Sequence, residues 1–429
     1  MKLAMIADDL TGANDSGVQL ARYGIDTSVL FKNEVDALKK HEAIVIDTDS
    51  RSLTDSEAYT KVKEASEFLK KGSFDIIYKK VDSTLRGNVG AEINAIYDSF
   101  HPELVVIAPA FPKNNRYTKD GHHYLNGKLL NETEIAHDPK TPVKESYIPK
   151  LIEDQTGKKV GLITYHELKL GKKALLEKIE TMISKEVHYV VFDAVVEEDL
   201  QHIAQFIVQS NLKVCWVGSA GMANYLPEAY KIKKQQVMKA GPKGNHPVML
   251  VVGSVSQITR KQLDIVLTES DLRGIELDSV AVVSDPETKQ KEIARVLKEA
   301  RATLNSHKGI ALYSSGRRED IMRAQDVGRT NGLDKRDVSN HISKSLGQVA
   351  ATLTHDHAFK GLVLTGGDTA KQVCDQLGVV GFNLIDEIET GIPLGLAIGQ
   401  KEFHAITKAG AFGTDYSLLN SIKKLQGDV

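Results

Sequence analysis

Leu3-Ala4-Met5-Ile6-Ala7-Asp8-Asp9-Leu10-Thr11-Gly12 begins as an unbroken apolar run and ends in two carboxylates, a hydroxyl and a glycine. A short apolar run that stops at turn-forming residues reads as a strand buried on both faces, the kind found in parallel sheets. The same pattern recurs at residues 43–46, 74–78, 104–108, 160–164, 189–192 and 213–217. Helical stretches lie between several of these runs. The one at 55–71 is introduced by Thr54-Asp55-Ser56-Glu57, a capping box, and followed by Gly72 as a stop. Strands alternating with helices predict an α/β fold with a mainly parallel, doubly wound sheet.

Residues 111–149 break this rhythm with prolines, Lys119-Asp120-Gly121 and Asn126-Gly127. We read them as a hairpin-containing excursion, either a flap, a subunit contact in a homo-oligomer or a solvated insertion. Within it, His122-His123 lacks metal-ligand spacing and reads as a surface or interface pair. After Tyr230 the chain turns basic and then Gly/Pro-rich, which marks residues 229–246 as a linker. A second α/β series follows, with strands expected at 248–252, 276–283, 309–313, 361–364 and 395–398 and helices at 285–305 and 336–355. Two domains, 1–228 and 247–429, are therefore expected, with an active cleft between them.

Composition narrows the function. The chain has 429 residues, 41% hydrophobic and 26% charged, ordinary values for a globular protein with a sizeable core. A formal net charge of −2 supplies no basic field for nucleic acid. No apolar run approaches the roughly 20 residues of a membrane span, and the opening residues, acidic within a few positions, do not read as a signal peptide. The two cysteines, Cys215 and Cys374, have no CxxC or His partner; they read as buried thiols of a cytoplasmic protein rather than zinc ligands.

In doubly wound sheets ligands bind beyond the carboxyl ends of the strands. In the first domain those ends read Asp8-Asp9, then Asp47-Thr48-Asp49-Ser50-Arg51, then Asp82-Ser83-Thr84-Leu85-Arg86-Gly87-Asn88. Carboxylates to accept from hydroxyls, and Arg51 and Arg86 to clamp a carboxylate, suit a small hydroxylated anion. Taken singly, each residue is better explained as a helix cap or turn former; the convergence of three strand ends points to a site. The second domain presents Gly253-Ser254, Thr365-Gly366-Gly367-Asp368 and Lys408-Ala409-Gly410, the last expected to open the final helix. Glycine turns entering helices bring backbone N–H groups to phosphate. Neither GxxxxGK[ST] nor GxGxxG occurs, so this is not a P-loop, and a dehydrogenase is disfavoured.

Together, IADDLTGANDSG, DTDSR and KKVDSTLRGN resemble the N-terminal domain of the four-carbon acid sugar kinase family. GSVS, LTGGDTA and KAGAFG resemble its C-terminal nucleotide-binding domain, and the resemblance runs in order along essentially the whole chain. It implies ATP- and Mg²⁺-dependent phosphorylation of the terminal hydroxyl of D-threonate, D-erythronate or a 3-oxo-tetronate. KVDSTLRGN is closer to the aldonate branch, which favours D-threonate, with D-erythronate second. The resemblance puts Asp9, Arg51, Asp82, Ser83, Thr84, Leu85 and Arg86 on the sugar acid. It puts Ser254, Thr365, Gly366, Gly367, Asp368 and Gly410 on the nucleotide. Asp9 or Asp82 is the expected base, and Asp368 is expected to help hold Mg²⁺ through water. A two-domain protein that binds a sugar acid without chemistry is the competing class.

Overall fold

The computed structural model describes residues 1–138, 141–233, 246–306 and 309–427. They form two compact units, Met1–Val237 and Met238–Val429. Most of the expected linker, residues 234–245, lies outside the described residues.

The first unit is built on strands β1 (Leu3–Ala7), β2 (Thr27–Leu30), β3 (Ala43–Asp47), β4 (Ile76–Lys80) and β5 (Leu104–Ala108). A small sheet follows, of β6 (Arg116–Lys119), β7 (His122–Leu125) and β8 (Lys128–Leu129); then come β9 (Val160–Ile163), β10 (Tyr189–Phe192) and β11 (Val214–Gly218). The main sheet runs β2-β3-β1-β4-β11-β5-β10-β9, and every pair in it is parallel. Its strands are almost wholly buried because helices cover both faces. Val105, Ile107, Val191 and Val217, for example, share one core with Ile93 and Ile152 of covering helices. The chain leaves β1 to build β2 and β3 on one side and returns to place β4 on the other. The crevice at the ends of β1 and β4 is thus a topological switch point.

β4 begins and ends two residues later than expected, because Lys79 and Lys80, which look like a polar strand end, are its last buried members. The capping box at Thr54 and Glu57 forms, but the helix Asp55–Leu69 ends at Lys70 rather than at Gly72. Asp120-Gly121 and Asn126-Gly127, all at positive φ, close the β6–β7–β8 hairpins. The reading of His123 as a surface residue is wrong: its imidazole is completely buried, between Thr118 Oγ1 at 3.0 Å and the Ser83 carbonyl at 2.9 Å.

The second unit contains β12 (Val248–Val252), β13 (Arg273–Leu277), β14 (Ile310–Ser314), β15 (Gly361–Thr365), β16 (Val379–Glu389), β17 (Ile392–Gly399) and β18 (His404–Lys408). Their order is β13-β14-β12-β15-β18-β17-β16. The pairs from β13 through β18 are parallel, whereas β16 and β17 form an antiparallel hairpin that turns through Gly391 at φ +80. The strand expected at 276–283 is instead β13 followed by a 3₁₀ turn at Ala281–Val283. Asp278 causes the break, since its side chain accepts from the N–H groups of Val280 and Ala281 at 2.8 and 3.3 Å. The final helix starts only at Ser417, so the Gly410 segment is a free-standing turn rather than a helix opening. Both cysteines are buried thiols.

Candidate active site

Three adjacent strands of the first unit, β3, β1 and β4, end level with one another: Ala7 pairs with Asp47 on one side and with Lys80 on the other. The segments that follow must therefore meet. Asp9 caps the helix Leu10–Tyr23 by accepting from Gly12 N–H at 2.8 Å. The backbone N–H groups of Ser50 and Arg51 both donate to the Asp8 carbonyl, at 2.9 and 3.2 Å, which locks the β3 turn onto the β1 turn. Arg51 then donates to both carboxylates. Nε and Nη2 reach Asp8 at 2.6 and 2.9 Å, while Nη1 and Nη2 reach the two oxygens of Asp9 at 2.7 Å. Arg51 Nη2 also lies 3.9 Å from Asp82.

Asp82 opens the β4 turn. It accepts from Thr84 N–H at 3.2 Å, from the Thr84 hydroxyl, and from Arg86 Nε and Nη2 at 2.8 and 3.1 Å. The turn doubles back through Leu85 at φ +57 and Gly87 at φ +93. A Cβ on Gly87 would stand 3.0 Å from Arg51 Cγ, so glycine there lets the two turns touch. The Leu85 side chain belongs to the hydrophobic core. Ser83 is half-buried, and its carbonyl is taken by His123.

The two candidate bases differ electrostatically. Burial opposes ionisation of Asp82, but the Arg86 hydrogen bonds and the charges of Arg51 and Arg86 prevail and hold its carboxyl well below the usual range. Asp9 shifts upward. Burial raises it most, Arg51 opposes, and the neighbouring Asp8 carboxylate adds to the rise. A group protonated more readily is the better proton acceptor.

Several supporting residues escape sequence reasoning. Lys79, fully buried, pairs with Glu92 at 2.7 Å, and Glu92 accepts from Ser50 Oγ at 2.6 Å. Ser50 and Thr48 hydroxyls lie 2.7 Å apart. This chain of contacts props the β3 turn from beneath. Glu92 leaves one sequence signal: it is a carboxylate on the helix face that also carries Val89, Ile93 and Ile96. Asp138, in the excursion, lies 3.5 Å from Arg86 Nη1.

The cluster in the second unit is of another kind. β12, β15 and β18 are neighbours, and Ser254, Gly366 and Gly410 follow them. Gly366 stands at φ +98, and its N–H donates to the Lys408 carbonyl at 3.0 Å. A Cβ on Gly410 would stand 2.4 Å from Ser254 Oγ, and one on Gly253 would stand 1.9 Å from Thr369 Oγ1. Nothing lies within 4 Å of a Cβ on Gly367, at the start of the helix Gly367–Gln376, so a ligand can approach that backbone closely. Thr365 Oγ1 is buried with no hydrogen-bond partner.

Lys408 anchors this cradle. Its ammonium donates to the carbonyls of Ala409, Gly410 and Phe412 at 2.9, 3.3 and 3.0 Å and to Thr259 Oγ1 at 3.2 Å. Thr259 also donates to the Gly410 carbonyl at 2.6 Å. With these carbonyls turned inward, planarity of the peptide turns the N–H of Ala411 the other way. Asp368 is exposed in the first turn of its helix. No group of three or more His, Cys, Asp or Glu able to hold a metal exists among the described residues.

A family model described as a sugar-binding N-terminal domain matches residues 3–226, and one described as a nucleotide-binding C-terminal domain matches residues 249–418. The chain is 34% identical to a D-threonate kinase of Salmonella typhimurium, over 98% of each chain. It is 32% identical to a D-erythronate kinase of Heliobacterium modesticaldum, over 96% of this chain and 94% of the relative. A crystal structure of a Haemophilus influenzae protein superposes with a TM-score of 0.81 at 25% identity, over 99% of both chains. Among the described residues no helix is long and apolar enough to cross a membrane.

Proposed function

The chain belongs to the four-carbon acid sugar kinase family, and on that premise we propose that it transfers the γ-phosphoryl group of ATP to the 4-hydroxyl of D-threonate. The first unit takes the sugar acid and the second takes the nucleotide. The contrast between the two strand-end clusters carries this reading. One is a dense set of carboxylates and guanidinium groups suited to a hydroxylated anion; the other is a glycine cradle suited to phosphate.

Arg86 is the better clamp for the tetronate carboxylate. Arg51 already makes four short hydrogen bonds to Asp8 and Asp9, whereas Arg86 Nη1 has only Asp138, at 3.5 Å, and its side chain is 30% exposed. Asp9 is the base and Asp82 the orienting group, since Asp82 is pinned as an anion by Arg86. Ser83 and Thr84 line the sugar-acid side. Ser254, Thr365, Gly366, Gly367 and Gly410 hold the nucleotide phosphates. Asp368 helps hold Mg²⁺, which neutralises phosphate charge when bound.

The test is an ADP-release screen over D- and L-threonate, D- and L-erythronate and 3-oxo-tetronates. D-threonate is expected to give the highest kcat/KM. A preference for D-erythronate would move the substrate and keep the kinase. Tight tetronate binding with no ADP release from any compound would replace the kinase with a binding protein.

A further inference from the structure

β4 ends in two consecutive lysines, and both are buried: Lys79 is 0% and Lys80 is 4% exposed. Strand alternation sends them to opposite faces of the sheet. Lys79 is fully served. Its ammonium pairs with Glu92 at 2.7 Å and donates to the carbonyls of Ile6 and Lys80 at 3.3 and 2.9 Å. Lys80 is not. Its ammonium donates to the Val81 carbonyl at 3.0 Å and makes no ion pair among the described residues. The Asp9 carboxylate feels its charge, but the two form no direct ion pair, and a buried ammonium with so little compensation is costly, by several kcal/mol in the usual case. A protein that places one beside its candidate base leaves it for an anion that arrives later.

The position of the ammonium is specific. A Cβ on Gly12 would stand 2.9 Å from Lys80 Nζ and 2.7 Å from Asp9 Oδ1, so Nζ lies at the first turn of the helix that Asp9 caps. The strand register puts Lys80 opposite Ala7, the residue before Asp8-Asp9. Of the other cations of this crevice, Arg51 is engaged by Asp8 and Asp9, and Arg86, bound to Asp82, is on the reading above the clamp for the tetronate carboxylate.

We propose that Lys80 is a catalytic residue whose ammonium contacts the phosphoryl group as that group reaches the hydroxyl held by Asp9. This rests on the kinase reading above. In that step the acceptor oxygen bonds to the γ-phosphorus, and the bond from phosphorus to the β,γ-bridging oxygen breaks. The electron pair of that bond leaves on ADP, and the hydroxyl proton passes to the Asp9 carboxylate. Lys80 meets charge on the equatorial phosphoryl oxygens, where a positioned cation acts most strongly on phosphoryl transfer. The tetronate carboxylate, at the other end of the four-carbon chain from the reacting hydroxyl, stays with Arg86.

Lys80→Met keeps the bulk of the side chain and removes the charge. We expect kcat on the preferred tetronate to fall by about 10²–10³-fold, as for loss of one aimed donor, with both KM values little changed. The variant melts close to wild type, because it removes a buried cation that makes no direct ion pair. A kcat within twofold of wild type would overturn the assignment. So would an unchanged kcat with a raised tetronate KM, which would make Lys80 a carboxylate clamp. A drop in melting temperature that accounts for the lost activity would make it structural.

A second readout does not need turnover. ADP with aluminium fluoride mimics the phosphoryl group in transit, and the extra thermal stabilisation it gives wild type over ADP alone should vanish in Lys80→Met. An equal increment in both proteins would sink the Lys80 role. Failure of wild type to phosphorylate any tetronate would instead sink the kinase reading, and the two failures are thereby distinguished.

Discussion

The strand ends of the two units are built from different materials, which the proposed function assigns to different recognition problems. In the first, the turns after β3, β1 and β4 place Asp8, Asp9, Arg51, Asp82 and Arg86 in one hydrogen-bonded cluster, with a second buried pair, Lys79–Glu92, beneath it. In the second, the turns after β12, β15 and β18 meet through glycines at 253, 366 and 410, and the cation at their centre binds backbone carbonyls. Side chains offer fixed donors and acceptors and can tell one hydroxyl arrangement from another. Backbone N–H groups offer a generic anion cradle, which suits the phosphates common to all nucleotides. Substrate discrimination should therefore reside in the first unit and be easily lost there.

The sharpest way to break this contrast is Asp9→Asn. Asparagine still caps the helix at Leu10, so the fold should hold. Removing the proposed base should lower kcat by about 10²–10⁴-fold, measured by ADP release, while the KM for ATP stays put. A comparable rise in the ATP KM would mean that the two clusters do not divide the work as proposed.

The buried Lys79–Glu92 pair is next. Glu92→Leu leaves Lys79 with carbonyl acceptors only and should cost about 3–5 kcal/mol of stability, read from chemical denaturation. Adding Lys79→Met should recover most of that loss. If the single variant is as stable as wild type, the pair is not what props the Ser50–Arg51 turn.

Much of this contrast could be read from the chain. β1, β5, β10 and β12 stand out because they are continuous apolar runs stopped by turn residues. The polar residues after β1, β3 and β4 belong together because those strands are neighbours in a doubly wound sheet. Other features were illegible for physical reasons. Lys79 and Lys80 look like a strand end, because nothing local reveals that Glu92, on a later helix, neutralises one of them. His123 looks like a surface residue, because its partners Ser83 and Thr118 meet it only after the excursion folds back. β13 was misplaced because Asp278 breaks the strand through a hydrogen bond to its own following backbone. The strand expected at 395–398 falls within β17, but its antiparallel partner β16 is not legible, because the surrounding parallel pattern gives no sign of a hairpin.

The glycine cradle can be probed by two neighbouring changes of opposite character. Gly366 holds φ +98, so Gly366→Ala should strain the turn by about 1–2 kcal/mol and lower the melting temperature. Gly367→Ala meets open space and should leave the melting temperature alone. It should nonetheless raise the KM for ATP several-fold, because a methyl group would occupy the place where phosphate approaches the backbone. Equal behaviour of the two variants would remove Gly367 from the nucleotide site.

The smallest effect is expected from Lys408, and pH gives its sign. Burial pulls the ammonium from its ordinary value near 10.5 down to about 8, and Glu389 only partly opposes this. Between those two values the unfolded chain holds a proton that the folded chain does not. This residue therefore adds to stability as pH rises from about 8 to 10.5 and subtracts from it as pH falls through that window. Its contribution to binding has the opposite slope. The protonated form is what draws the carbonyls of Ala409, Gly410 and Phe412 inward, so the KM for ATP should rise as pH passes about 8. Lys408→Met should flatten that limb and leave the tetronate KM unchanged. A limb that persists in the variant would assign the titration to another group and leave Lys408 as a purely structural anchor of the turn.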